Sequence, residues 1–202
     1  MPSILPRSAP AWLTDPAVSA LSRMHVSPNM LTLAGVAGNI VAGVLAAAGE
    51  FLAAGILVLA ASSLDMLDGA LARATGQATD FGSVFDAVMD RVSEAAVLFG
   101  LLIYYSGAND RTEQVLIFAA VVGSILVSYV RARAEIIGVT LQEGLFTRAP
   151  RVLLLSAGLM LEQIGIDHAV TVMLWVLALA AGATVLERLL LVWARTRGRA
   201  EQ

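Results

Sequence analysis

The chain has no cysteine and no lysine, and only 14% of its 202 residues are charged. Without cysteine it has neither a disulfide framework nor a thiolate metal site. A typical soluble domain carries about 25% charged residues, so there is too little charge here to cover a surface facing water. Aromatic residues are scarce at 6%, while hydrophobic residues reach 58%, and the mean hydropathy is +0.79. That balance excludes a disordered chain and a collagen-like one. A net charge of −3 argues against nucleic acid as a partner, which needs a basic face. What remains is an integral membrane protein whose main partner is the lipid bilayer.

A membrane-crossing helix needs roughly 20 mostly apolar residues. Six stretches approach that length, at 30–48, 51–72, 84–106, 114–136, 150–166 and 169–193. The expected fold class is therefore an all-α integral membrane protein with six transmembrane helices. The first thirty residues differ, because Pro2, Pro6, Pro10, Pro16 and Pro28 exclude a span. Between Ala17 and His25, the positions of Val18, Leu21 and Met24 predict a short amphipathic helix lying on the membrane surface. The chain thus divides into an interfacial segment 1–29, a six-helix domain 30–195 and a tail 196–202.

Arginine sets the orientation. With the N-terminus inside, all of the 13 basic residues except Arg111 lie in or near inner segments, a strong positive-inside bias. The N-terminus and the arginine-rich ends are thereby assigned to the cytoplasmic side of the cell membrane.

Carboxylates within membrane helices are costly and mark functional sites by default. Here they are concentrated. Asp65 and Asp68 stand near the inner end of the second span, Asp86 and Asp90 near the inner start of the third, and Asp80 in the loop between. A spacing of three puts Asp65 and Asp68 on one helix face, and Gly69 and Ala72 share it. Gly82, Asp86 and Asp90 form a second stripe at a spacing of four. The second and third spans are expected to form a hairpin, so both pairs meet at one depth on the cytoplasmic side. Four carboxylates cannot all ionise together without counter-charge, and Arg73 alone is not enough. Divalent cations solve the problem, and all-oxygen ligands suit Mg²⁺ or Mn²⁺. Two such ions would stabilise charge on a transferring phosphoryl group. Gly69 and Gly82 would let a phosphate or base come close to the backbone. The plainer alternatives are structural ion pairs with Arg73 and Arg91, or a proton or cation path.

The stretch from Asp65 to Asp90 is similar to the signature of the CDP-alcohol phosphatidyltransferases, D-x2-D-G-x2-A-R-x8-G-x3-D-x3-D. Asp65, Asp68, Gly69, Ala72, Arg73, Gly82, Asp86 and Asp90 all match it. The resemblance implies an enzyme that joins an alcohol to the phosphate of a CDP-linked lipid, usually CDP-diacylglycerol, and releases CMP. It implies that Asp65, Asp68, Asp86 and Asp90 hold metal, with Asp90 also the general base. It further implies that Asp68, Gly69, Ala72, Arg73 and Gly82 contact the CDP-lipid, with Asn29 and Thr32 as further CDP contacts. A homodimer is implied as well.

Arg131 and Arg133 in Ser128-Tyr-Val-Arg-Ala-Arg-Ala-Glu135, then Arg148 and Arg151, cluster at the inner ends of spans four and five. Guanidinium suits phosphate, so these four, with Arg188 from span six, are candidates for the phosphate of a phosphorylated alcohol acceptor. The pattern resembles the branch of the family that uses inositol phosphate. In that branch E-R-x-E-R follows the first arginine motif, whereas Thr147 and Pro150 stand here in place of the two glutamates. Glycerol 3-phosphate as acceptor, and a carboxylate-based cation transporter, are the alternatives. Of the other polar residues, Asn39 is expected to make an interhelical hydrogen bond, and Glu94 to tune Asp90 or pair with Arg91. Asn29 has a second reading as the cap of the first span.

Overall fold

The computed structural model describes residues 18–24, 26–108, 110–141 and 148–200, with side chains to residue 197. Six long helices follow one another: α1 Pro28–Ala47, α2 Phe51–Ala74, α3 Asp80–Ala108, α4 Arg111–Ile136, α5 Arg148–Gln163 and α6 Ala169–Ala200. Each stands where an apolar stretch predicts one, and no strand occurs among the described residues. Four are long and apolar enough to cross a bilayer, namely α1, α2, α4 and α6 as far as Arg197. The first half of α3 carries Asp80, Asp86, Asp90, Arg91 and Glu94, and α5 has only 16 residues. Residues 18–23 form a short helix. Val18 is 8% exposed and Met24 72%, so the expected apolar face is split; Ala17 and His25 lie outside the described residues.

Helix ends differ from expectation at three places. The third helix begins at Asp80 because Thr79 caps it, its Oγ1 accepting the Gly82 N–H at 3.0 Å. Asp80 is therefore not a loop residue; it sits in the first turn, where a carboxylate offsets the helix dipole. The cap of α1 is Ser27 and not Asn29: the Ser27 hydroxyl accepts the Met30 N–H at 3.3 Å, with Pro28 opening the helix. The last helix runs on to Ala200, beyond the expected end of its span at 193.

The helices form a ring. α1 packs on α2 and α3, α2 on α5, α5 on α6, α6 on α4, and α4 on α3. The hairpin expected from α2 and α3 is not a closely packed pair; α1 holds both. Small residues allow this. A Cβ on Gly100 of α3 would strike the backbone of Gly43 in α1, and one on Gly38 would lie 2.8 Å from Ala61 in α2. One apolar core, with buried residues from all six helices, fills the end of the ring that the arginine distribution would turn outward. There the acids of the outer turns serve the neighbouring helices. Glu162 Oε2 accepts the Val170 N–H at 2.9 Å, and Glu113 Oε1 accepts the Thr171 hydroxyl at 2.8 Å.

Candidate active site

The inner end of the ring holds the acids. Asp68 is 4% exposed and accepts a 2.5 Å hydrogen bond from Thr32 Oγ1 of α1. Asp65 turns Oδ1 against Gly35 of α1, where any Cβ would collide with it, and its Oδ2 is paired with Arg148 at the start of α5. The other Nη of Arg148 lies 2.6 Å from Asp90 Oδ1 in α3, and Arg91 stands 3.5 Å from Asp90 Oδ2. Asp86 is near enough to Asp65, Asp68 and Asp90 for the charges to act on one another. Two helices thus contribute two carboxylates each to one electrostatic neighbourhood, and a third helix supplies the guanidinium between them. A Cβ on Gly69 would meet only the tip of Arg73 at 3.4 Å, and one on Gly82 only Thr79 Oγ1 at 3.1 Å. The wall beside the acids is therefore low.

The arginines separate into two groups. Arg148 and Arg151 line one cavity with Asp90, Ser93, Glu94 and Asn39. Arg151 lies 3.2 Å from Glu94 Oε2 and donates to Ser124 Oγ at 2.9 Å, while that hydroxyl donates to Glu94 at 2.7 Å. Arg188 of α6 is 6% exposed and donates to the Val127 carbonyl at 2.5 Å. It lies within reach of the charges of Arg131, Arg151 and Arg91. Arg131 itself points away, 57% exposed and paired with Glu135 on its own helix at 3.0 Å. Arg133 and Arg73 are exposed, as is Asn29. The structure therefore brings Arg148 and Arg151 to the acids, sets Arg188 within reach of Arg151, and leaves Arg131 and Arg133 exposed at the rim. Thr147 lies outside the described residues.

The family model described as CDP-alcohol phosphatidyltransferase matches residues 25–193. The chain belongs to the CDP-alcohol phosphatidyltransferase family. It is 36% identical over 192 residues to a phosphatidylinositol phosphate synthase of Mycobacteroides abscessus, covering 94% of this chain and 87% of the relative. It is 34% identical over 185 residues to the enzyme of the same name from Corynebacterium glutamicum, covering 89% and 83%. Two crystal structures of Mycobacterium tuberculosis phosphatidylinositol phosphate synthase each superpose with a TM-score of 0.83 at 32% identity. One has CDP-DAG bound and covers 91% of this chain and 94% of its own. The other holds manganese and citrate and covers 89% and 88%. The family resemblance of the sequence is thus borne out, and the signature of this phosphatidyltransferase lies on α2 and α3.

Two further expectations are corrected by the geometry. Glu94 pairs with Arg151 rather than Arg91; Arg91 instead donates to Ser128 Oγ from Nε at 2.9 Å and from Nη2 at 2.6 Å. Asn39 bonds within its own helix, to the Gly35 carbonyl at 3.0 Å. Among the described residues no three acidic or histidine side chains close on a point tightly enough to hold a metal as they stand. The donor chemistry nonetheless fits a hard divalent cation: four carboxylates, and a cation, the Arg148 guanidinium, already bridging two of them. Sequence reading singled out Gly35 for close helix packing and Glu94 for its place one turn after Asp90, but gave no warning of the partners of Gly35 and Glu94 or of the role of Ser124. Each acts through a partner from 27 to 30 residues away.

Proposed function

We propose that this phosphatidyltransferase moves the phosphatidyl group of CDP-diacylglycerol to inositol phosphate and releases CMP. The observation that carries the reading is the gathering of all four signature acids at the inner end of the ring, beside Arg148, Arg151 and Arg188. The names of the relatives, and CDP-DAG bound to one of them, support the substrates. Asp65, Asp68, Asp86 and Asp90 would hold Mg²⁺ or Mn²⁺, two ions, whose chemistry is to neutralise charge on the pyrophosphate and on departing CMP.

The chain's own residues do the rest. Asp90 takes the proton of the acceptor hydroxyl. The freed oxygen forms a bond to the lipid-linked phosphorus, and the bond from that phosphorus to the bridging oxygen breaks, with the electron pair leaving on CMP. Thr32 fixes the carboxylate of Asp68. Gly69, Ala72 and Gly82 leave room for the CDP portion, while Arg73 and Asn29, both exposed, reach its phosphates and base. Arg148, Arg151 and Arg188 receive the phosphate of the acceptor, and Arg131 and Arg133 draw it in from the rim. An Asp is a weak base at neutral pH, so positioning and electrostatics supply most of the rate.

The reading includes six membrane crossings, with α3 and α5 joining the four apolar helices because the ring encloses their charged faces. It also includes an active site on the cytoplasmic face, the side that arginine favours, and a homodimer. A cation carrier is disfavoured by the packing: a polar path outward from the acids would cross the apolar core of Val58, Val97, Leu98 and Leu101.

The test supplies purified protein with CDP-diacylglycerol and Mg²⁺ and offers inositol phosphate, free inositol, glycerol 3-phosphate and serine in parallel. Lipid product is expected from inositol phosphate. Product from glycerol 3-phosphate alone replaces the acceptor and keeps the reaction class. No CMP from any acceptor, together with Mn²⁺ flux into lipid vesicles lacking CDP-lipid, overturns the reading in favour of a carrier.

A further inference from the structure

We infer that Arg148 is a built-in counter-cation which divalent metal displaces, and that its release completes the phosphate site for the acceptor. The inference rests on the phosphatidyltransferase reading above and adds an order of binding to it: metal first, acceptor second.

Arg148 pairs through separate Nη atoms with Asp65 Oδ2 on α2 and Asp90 Oδ1 on α3, the first and last acids of the signature. Asp65 has no other basic partner among the described residues, and the same guanidinium acts on Asp86. One arginine therefore answers three of the four acids. The oxygens it holds are also those that would be offered to a divalent cation. Asp65 Oδ1 is turned against Gly35, and Asp90 Oδ2 faces Arg91. A guanidinium and a divalent cation cannot share Asp65 Oδ2 and Asp90 Oδ1, because like charges at ligand distance repel. The dication brings twice the charge to a cluster short of positive charge, so the arginine yields.

Arg148 is also the more exposed of the two α5 arginines. Its side chain is 27% exposed, against 7% for Arg151 one turn further along α5. Arg151 is tied to Glu94 and Ser124 and stays as the fixed wall. Once off the acids, the Arg148 head group has no carboxylate left to it and stands beside Arg151. Two neighbouring guanidinium groups, one of them released from its carboxylates, are a site for a phosphate dianion. A purely structural Arg148 would instead pin α5 to α2 and α3 in every state.

The experiment uses the full-length protein in nanodiscs without CDP-lipid, so that no turnover is needed. Mn²⁺ is titrated in and the free ion is read by electron paramagnetic resonance. Arg148→Gln is expected to bind Mn²⁺ about tenfold more tightly than wild type, the scale on which partners of ligating carboxylates move metal affinity. Unchanged or weaker binding overturns the inference. In parallel, calorimetry follows inositol phosphate binding with and without Mn²⁺. Wild type is expected to gain affinity with Mn²⁺, and Arg148→Gln to lose most of that gain; equal gains in the two proteins overturn the inference. If Arg148→Gln does not fold, Arg148→Lys replaces it in both titrations, since an ammonium bridges two carboxylates less well; Mn²⁺ binding no tighter than wild type then overturns the inference. Wild type that binds as expected yet transfers no phosphatidyl group keeps the displacement and removes the parent reading.

Discussion

At the outer end of the ring Leu98, Leu101, Leu159 and Leu174 are no more than 1% exposed, and glycines let α1 and α3 touch backbone to backbone. At the inner end the inward side chains are Asp65, Asp68, Asp90, Glu94, Arg148, Arg151 and Arg188. Among the described residues, the buried polar atoms without a hydrogen bond are Ser93 Oγ, Arg151 Nε, Glu187 Oε2 and Arg188 Nε, while Asp90 Oδ1 is held only by its ion pair with Arg148. All belong to the inner half. Stability is built where the chain is apolar, and chemistry is placed where the chain tolerates unsatisfied groups. Proteins commonly give up local consistency at the functional site and recover it elsewhere. Here the division follows the helix axes, so one helix such as α3 carries signature acids in its first turns and core in its last.

The comparison is broken if substitutions at the two ends do the same thing. The largest effect is expected from Asp90→Asn. It removes the proposed base, so CMP release is expected to fall about 10³-fold, while thermal unfolding in detergent stays within a few degrees of wild type. A loss of folding instead would make Asp90 a structural group. At the other end, Gly100→Ala pushes a Cβ into the Gly43 backbone and costs about 1–3 kcal/mol of stability, read as a lower unfolding midpoint. Turnover per folded molecule is unchanged, and a selective loss of activity would erase the distinction between the ends.

Thr32→Val sharpens the boundary, since Thr32 lies on α1 between the two regimes and its hydroxyl holds Asp68. Mn²⁺ affinity is expected to drop about tenfold, with the unfolding midpoint nearly unmoved. The smallest effect is expected from Arg131→Gln at the rim. Its exposed pair with Glu135 contributes about 0.5 kcal/mol or less, so stability is unaffected. The Michaelis constant for the acceptor rises only at low salt, because a rim charge steers rather than binds.

The sequence made the six helices legible because apolar runs of membrane length are a strong signal. The four acids were legible because helical spacing alone puts Asp65 with Asp68 and Asp86 with Asp90. What joins the pairs was not. The expectation of an α2–α3 hairpin fails because Gly35, Gly38 and Gly43 let α1 pack against both helices, and helix order around a ring leaves no trace in periodicity. Arg73 was judged too little counter-charge, with Arg73 and Arg91 as the alternative ion-pair partners; Arg91 does stand 3.5 Å from Asp90 Oδ2, but Asp65 pairs with Arg148, 83 residues beyond it. Arg131 and Arg133 were grouped with Arg148 because the expected topology put them at the same ends of spans four and five. Their helix turns them outward, and Glu135 at a spacing of four captures Arg131.

The most direct measurement is a crystal structure of the protein soaked with Mn²⁺, read by anomalous scattering. The account predicts manganese peaks between α2 and α3, with oxygens of Asp65, Asp68, Asp86 and Asp90 as ligands. Manganese bound away from these four side chains, or no bound manganese in protein that is turning over substrate, would contradict it.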